Sequence, residues 1–118
     1  MEDQRRQSTF SIIKSVPALM LYEHFIAELQ AIGPITIHPH KTMISIANGH
    51  KRVAYVTGSG KNFIDIVFPF KLRYDDNLCF KRIQEVPGRR VIYHHFRMLQ
   101  KEDVNDEVRK FMRIAYDR

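Results

Sequence analysis

The chain has 118 residues, 44% hydrophobic and 27% charged, with five glycines and five prolines: room for one domain with one core, and neither a disordered nor a collagen-like composition. A lone cysteine, Cys79, excludes an intrachain disulfide and a cysteine-cluster metal site, and fits a reducing, cytoplasmic setting. Nineteen lysines and arginines against thirteen aspartates and glutamates give a net charge of +6, and no apolar run approaches the ~20 residues of a membrane span, so no membrane partner is expected.

Residues 1–9 read as a polar tail without the apolar core of a signal peptide, and 10–118 as a single α+β domain. Ser15 is a candidate N-cap, with Pro17 in the first turn, where a missing N–H is harmless. Ala18, Leu21, Tyr22, Phe25, Leu29 and Ile32 then recur at the helical period, and Gly33-Pro34 is expected to stop the helix through a left-handed glycine cap.

From Ile35 the period becomes two. Short strands are expected around Ile35–Ile37 and Ile44–Ile46, then a turn at Asn48-Gly49 and a strand over Val53–Thr57. A second turn falls at Gly58-Ser59-Gly60. Ile64, Ile66, Phe68, Phe70, Leu72 and Tyr74 follow on one strand face. Asp65, Val67, Pro69, Lys71, Arg73 and Asp75 take the other. Pro69 has no N–H to give a ladder, so this strand should lie at an edge, bulge or break there. Residues 78–86 form a short strand or an irregular connection, Pro87-Gly88 turns the chain, and a last strand covers Arg90–Met98. Val104, Val108, Phe111, Met112 and Ala115 return to helical spacing, with Asp103 as a possible cap. The expected architecture is α+β: helix, an antiparallel meander of about five strands, helix, with both helices on one sheet face. Leu21, Phe25, Leu29, Ile64, Ile66, Phe68, Phe70, Phe111 and Met112 should share the core.

Chemical motifs are sparse. Thr57 to Asn62 looks like a phosphate loop, but Tyr55 stands where the pattern needs its first glycine, and Asn62 where it needs Ser or Thr. A hairpin turn is the better reading. His38, His40 and His50 lack the carboxylate or thiolate that would complete a metal site, so they read as loop histidines, and no metal or cofactor is expected. His94 and His95 should point to opposite faces. His94 is expected inside, as a hydrogen-bonded core histidine or, if a pocket reaches it, an acid or base. No nucleophile motif accompanies it, and no catalytic residue is assigned.

The charge excess is local. From Met1 to Ile37 the net is −1, from Met98 to Arg118 it is zero, and from His38 to Arg97 eleven basic residues meet four acidic ones, for +7. The strand phase places Tyr55, Lys71, Arg73, Tyr93, His95 and Arg97 on the outward face of the sheet. Cations attract phosphates and exposed rings can stack on bases, the combination found in single-strand platforms.

Phe10, Pro17-Ala18-Leu19 with Leu21-Tyr22, Gly33-Pro34, Lys41-Thr42 with Ile44, the Phe68–Leu72 strand, Tyr93-His94 with Phe96 and Arg97, and Ala115-Tyr116 together resemble a small bacterial domain family of unknown function, DUF five-six-five-five. The resemblance runs from about Phe10 to Tyr116, mostly through core and turn positions, and implies a fold without implying catalytic residues. The helix–meander–helix order is also that of the MmcQ/YjbR and frataxin-like folds. The reading that results is a non-catalytic domain binding an anionic partner, nucleic acid foremost, through the outer sheet face. The alternative is a protein-interaction or homodimerisation module, and the third reading is an enzyme with a His94 pocket.

Overall fold

Ser15 opens the first helix, as its position before Pro17 requires. The residue is extended, and its hydroxyl accepts a hydrogen bond from the Ala18 N–H at 3.1 Å. The helix, α1, runs Val16–Gln30 and buries Ala18, Leu21, Tyr22, Phe25, Ile26 and Leu29. The structure is a computed structural model describing residues 12–118; the expected tail, 1–9, and Phe10 lie outside the described residues.

The helix stop departs from expectation. Ala31 caps α1 in a right-handed conformation, and Gly33 has no positive φ. Glycine is needed at position 33 for space instead: a Cβ there would collide with the Tyr116 phenol, whose hydroxyl donates to the Pro34 carbonyl at 2.8 Å. The two left-handed glycines among the described residues are Gly49 and Gly88, with φ of 92° and 81°, at the Asn48-Gly49 and Pro87-Gly88 turns.

Six strands follow: β1 Thr36–Pro39, β2 Ile44–Ala47, β3 Arg52–Ser59, β4 Ile64–Phe70, β5 Arg82–Glu85 and β6 Ile92–Met98. They form one sheet in the order β1-β2-β3-β4-β6-β5, with every neighbouring pair antiparallel. Gly58 and Ser59 belong to β3, which shifts register between Val56 and Gly58. The turn accordingly moves on to Gly60, whose N–H reaches the Phe63 carbonyl at 3.0 Å. Pro69 sits in a central strand, opposite Tyr93 on β6. It is tolerated because the ladder from β4 to β3 ends earlier, at the Tyr55–Val67 pair.

The ambiguous region contains the one topological surprise. β4 and β5 are both antiparallel to β6, so they run parallel to each other with β6 between them. Residues 71–81 must therefore cross the sheet, and they do so on the helix side. Tyr74 packs on Phe70 and Phe111, and Phe80 on Phe68, Phe70 and Phe111. This crossover brings an aromatic layer that the alternating pattern did not announce.

Both helices cover one face. Phe25 of α1 meets Phe68, and Phe111 of the second helix, α2 (Asp106–Asp117), meets Phe70, two residues on along the same strand. Burying each such ring stabilises the fold by roughly 1.5–3 kcal/mol. All nine expected core residues are buried. α2 is capped by Asn105, which accepts from Val108 N–H at 3.0 Å, rather than by Asp103. Asp103 closes the preceding 3-10 turn, taking the N–H groups of Leu99 and Gln100. No described helix is long and apolar enough to cross a membrane.

Candidate functional site

With both helices on one side, no described helix covers the other side of the sheet, and the strand register fixes what it presents. One row crosses all six strands: His38, Ser45, Tyr55, Val67, His95 and Arg82. Beside it lie Pro69, Tyr93 and Gln84 on one side, and Gly58, Asp65 and Arg97 on the other. Ser45, Val67 and Pro69 are buried although no described helix covers them, while Tyr55, Tyr93 and His95 are half-buried. Small residues thus form the floor, and the larger side chains stand around them.

The expected site residues do not all join this surface. Tyr55, Tyr93, His95 and Arg97 do. Lys71 and Arg73 do not, because β4 ends at Phe70, so the strand alternation that placed them outward no longer applies. Both are exposed in the crossover, where Arg73 Nε holds Asp75 at 2.8 Å. Leu72, expected on the apolar face of that strand, is exposed for the same reason. Arg97 is on the face but engaged. Its Nε and Nη2 reach the two oxygens of Asp65 at 2.8 and 3.1 Å, and its guanidinium lies 3.9 Å from the Phe63 ring centre. Burial works to raise the Asp65 carboxyl, but the Arg97 hydrogen bond and the charges of Lys81 and Arg97 prevail and hold it below its ordinary value.

Positive charge concentrates instead at the end of the sheet where β3 begins and β4 and β5 finish. The β2–β3 turn brings His50, Lys51 and Arg52 there, and the β5–β6 turn brings Arg89 and Arg90. The end of α2 adds Arg118, whose Nη2 donates to the Arg52 carbonyl at 2.8 Å while its Nε is buried without a partner among the described residues. Burial, followed by the neighbouring Tyr93 phenol, raises the Tyr55 hydroxyl above its ordinary pKa, against the lowering pull of Arg52, Arg118 and Arg89. Sequence reasoning missed these three arginines. The available signal was that each of two glycine turns is followed by a basic pair, Lys51-Arg52 and Arg89-Arg90. Joining them required the crossover that sets both turns at the same end.

His94 is fully buried and His95 half-exposed, as their alternation implied. His94 Nε2 accepts from the Tyr74 N–H at 3.0 Å, which assigns the ring proton to Nδ1, where it faces the Ile92 carbonyl at 2.9 Å. Both nitrogens are used by backbone, among the rings of Phe70, Phe80 and Tyr74. Burial lowers its pKa despite the Ile92 carbonyl, leaving a neutral structural histidine with no hydrogen-bonded carboxylate. His95, lowered by burial and then by Arg82 and Lys81, has Nε2 at 3.3 Å from Gln84 Oε1. Cys79 is pushed up to about 12 by burial and by Glu107, the opposite of an activated thiolate. Among the described residues, no three His, Cys, Asp or Glu side chains are grouped to hold a metal.

Set against protein-family models, curated proteins and solved structures, the chain finds no match in any of them.

Proposed function

We propose that the open face of the sheet binds single-stranded nucleic acid, with bases against Tyr55 and Tyr93 and phosphates drawn by the arginine-rich turn end. The observation that carries this reading is the placement of two half-exposed phenols on a sheet face that no described helix covers, beside Arg52, Arg89 and Arg118. Aromatic stacking is tolerant of sequence, and guanidinium groups supply the long-range attraction. The face is sheet, with no described helix on that side to enter a duplex major groove, which favours a strand with unpaired bases. His95 and Arg82 extend the surface toward the β5 edge. The test is fluorescence anisotropy with labelled single- and double-stranded DNA and RNA at two salt concentrations. Single strands should bind more tightly than a duplex of the same sequence, with affinity falling as salt rises. Absence of binding at low salt removes the reading.

The alternative, a protein-interaction or self-association module, is supported by a different surface. Leu78 is 99% exposed and Leu99 61%, and both border a groove with Asp103, Asp106 and Glu107. Sedimentation of the pure protein decides the self-association form: a dimer that Leu78→Ser dissolves supports it, and a monomer at high concentration removes it.

A further inference from the structure

We infer that the turn end of the open face is a subsite for a terminal phosphomonoester, formed by Arg52, Arg89 and Arg118 around the Tyr55 hydroxyl. The inference rests on the open-face reading above and narrows it from a polyanion to a particular chemical group.

The first argument is charge. Arg73, Arg97 and Arg109 each hold a carboxylate, whereas Arg52, Arg89 and Arg118 form no ion pair among the described residues. The strand register sets the turns that carry Arg52 and Arg89 at one end of the sheet, and Arg118 reaches the Arg52 carbonyl there. Against burial and the Tyr93 phenol, which raise the Tyr55 hydroxyl, the three charges together pull it down. Like charges gathered without a counter-ion repel one another, and an incoming anion relieves that repulsion. An internal phosphodiester brings a single negative charge; a monoester brings about two near neutrality. The dianion is the better match to three arginines.

Donor count is the second argument. Arg118 is anchored through Nη2 to the Arg52 carbonyl with its Nε buried, so it contributes chiefly charge, while Arg52 and Arg89 have exposed side chains with no hydrogen bond among the described residues and can present their forks. Guanidinium forks suit phosphate oxygens because two parallel N–H groups meet two oxygens. Tyr55 stays protonated despite its cationic neighbours and can therefore donate as well. A third argument is position. The strands finish here, so a chain lying along the Tyr55–Tyr93 face reaches its end at this point, with Lys51 and Lys71 on the flanks. Glu85 is the one acid lining the adjoining groove, opposite Lys71, Arg89 and Arg90.

The experiment compares a single-stranded oligonucleotide in three forms: 5′-phosphorylated, 3′-phosphorylated and hydroxyl-ended, each labelled away from the end in question. One phosphorylated form should bind about ten-fold more tightly than the hydroxyl form. Arg52→Ala and Arg89→Ala should each pull that ratio toward one, while Arg82→Ala, removing the same charge at the β5 edge of the face, should keep it. Thermal shift with adenosine, adenosine monophosphate and inorganic phosphate distinguishes an oligonucleotide end from a free nucleotide or phosphate alone. Equal binding of phosphorylated and hydroxyl ends overturns the subsite while the open-face reading stands. If no oligonucleotide binds, the open-face reading fails by itself. The subsite then survives only if the monophosphate, and not adenosine, stabilises the wild type and fails to stabilise Arg89→Ala; otherwise it falls too.

Discussion

The imidazole of His94 accepts the Tyr74 N–H at 3.0 Å, and this bond fastens the crossover to the strand beneath it. A buried backbone donor without an acceptor costs about 1–3 kcal/mol, and the Ile92 carbonyl loses its partner in the same change. His94→Leu, close in volume, should therefore lower stability by about 2–4 kcal/mol in urea unfolding, and His94→Ala by more because it also leaves a cavity. The pH dependence has a definite sign. The unfolded imidazole titrates near 6.5 and the folded one lower, so stability is full above about 6.5 and declines as pH falls below it, until the folded value is passed. His95 shifts in the same direction. His94→Leu should thus show a shallower decline over that window, not a flat one; an unchanged slope would rule out this role.

Gly33 and Tyr116 supply a second prediction. Ala at position 33 would press its methyl group into a phenol that is held by the Pro34 carbonyl. Gly33→Ala should cost about 1–3 kcal/mol through overpacking. In a Tyr116→Ala background the same change should be close to neutral, because φ at position 33 is one that alanine accepts. A double-mutant cycle by thermal or urea unfolding reads this coupling directly. Additive effects would point to the backbone instead of the ring.

Which parts of the fold could be read from the chain follows from the range of each signal. Ser15, the α1 stripe as far as Leu29, the Gly49 and Gly88 turns and the alternation from Ile64 to Phe70 are local, and they stand as read; Ile32, placed on the same stripe, lies beyond the helix end at Gln30. Leu72 and Tyr74 continued that alternation past the strand's real end, because an apolar period of two cannot distinguish a strand from a crossover that also packs inward. Tyr74 is in the aromatic layer, while Leu72 is in water. Gly33 shows the same limit: its helix-terminal position is legible, but the side chain that demands glycine lies 83 residues away. Likewise the central +7 identified a basic region, yet its distribution depended on partners. Arg97 and Arg73 found carboxylates, while Arg52 and Arg89 gathered through turns.

Asp65 restrains Arg97 through both carboxylate oxygens, and that restraint has a consequence for binding. Arg97→Ala should weaken single-strand binding less than Arg52→Ala, since a paired guanidinium must break its ion pair before it can meet a phosphate. Asp65→Asn should act in the opposite direction, raising affinity by about three-fold at low salt as Arg97 becomes available. Anisotropy titrations of the three variants give the order. Arg97→Ala proving the most damaging of the set would place the binding surface at the other end of the sheet.

Tyr55 and Tyr93 should separate from the arginines by salt dependence. Stacking involves no counter-ion, so Tyr93→Ala and Tyr55→Ala should each lose roughly 1–3 kcal/mol on single strands with the salt slope unchanged. Tyr93→Phe keeps the ring and should retain most of the affinity. The double variant Arg52→Ala/Arg89→Ala removes two phosphate contacts and should make the slope of log K against log salt shallower by about 1.4, at about 0.7 per contact on a single strand. Titrations at four salt concentrations distinguish the two signatures. If Tyr93→Ala flattens the slope as the arginine variants do, the phenol serves to position cations, and the open face is an electrostatic surface without base stacking.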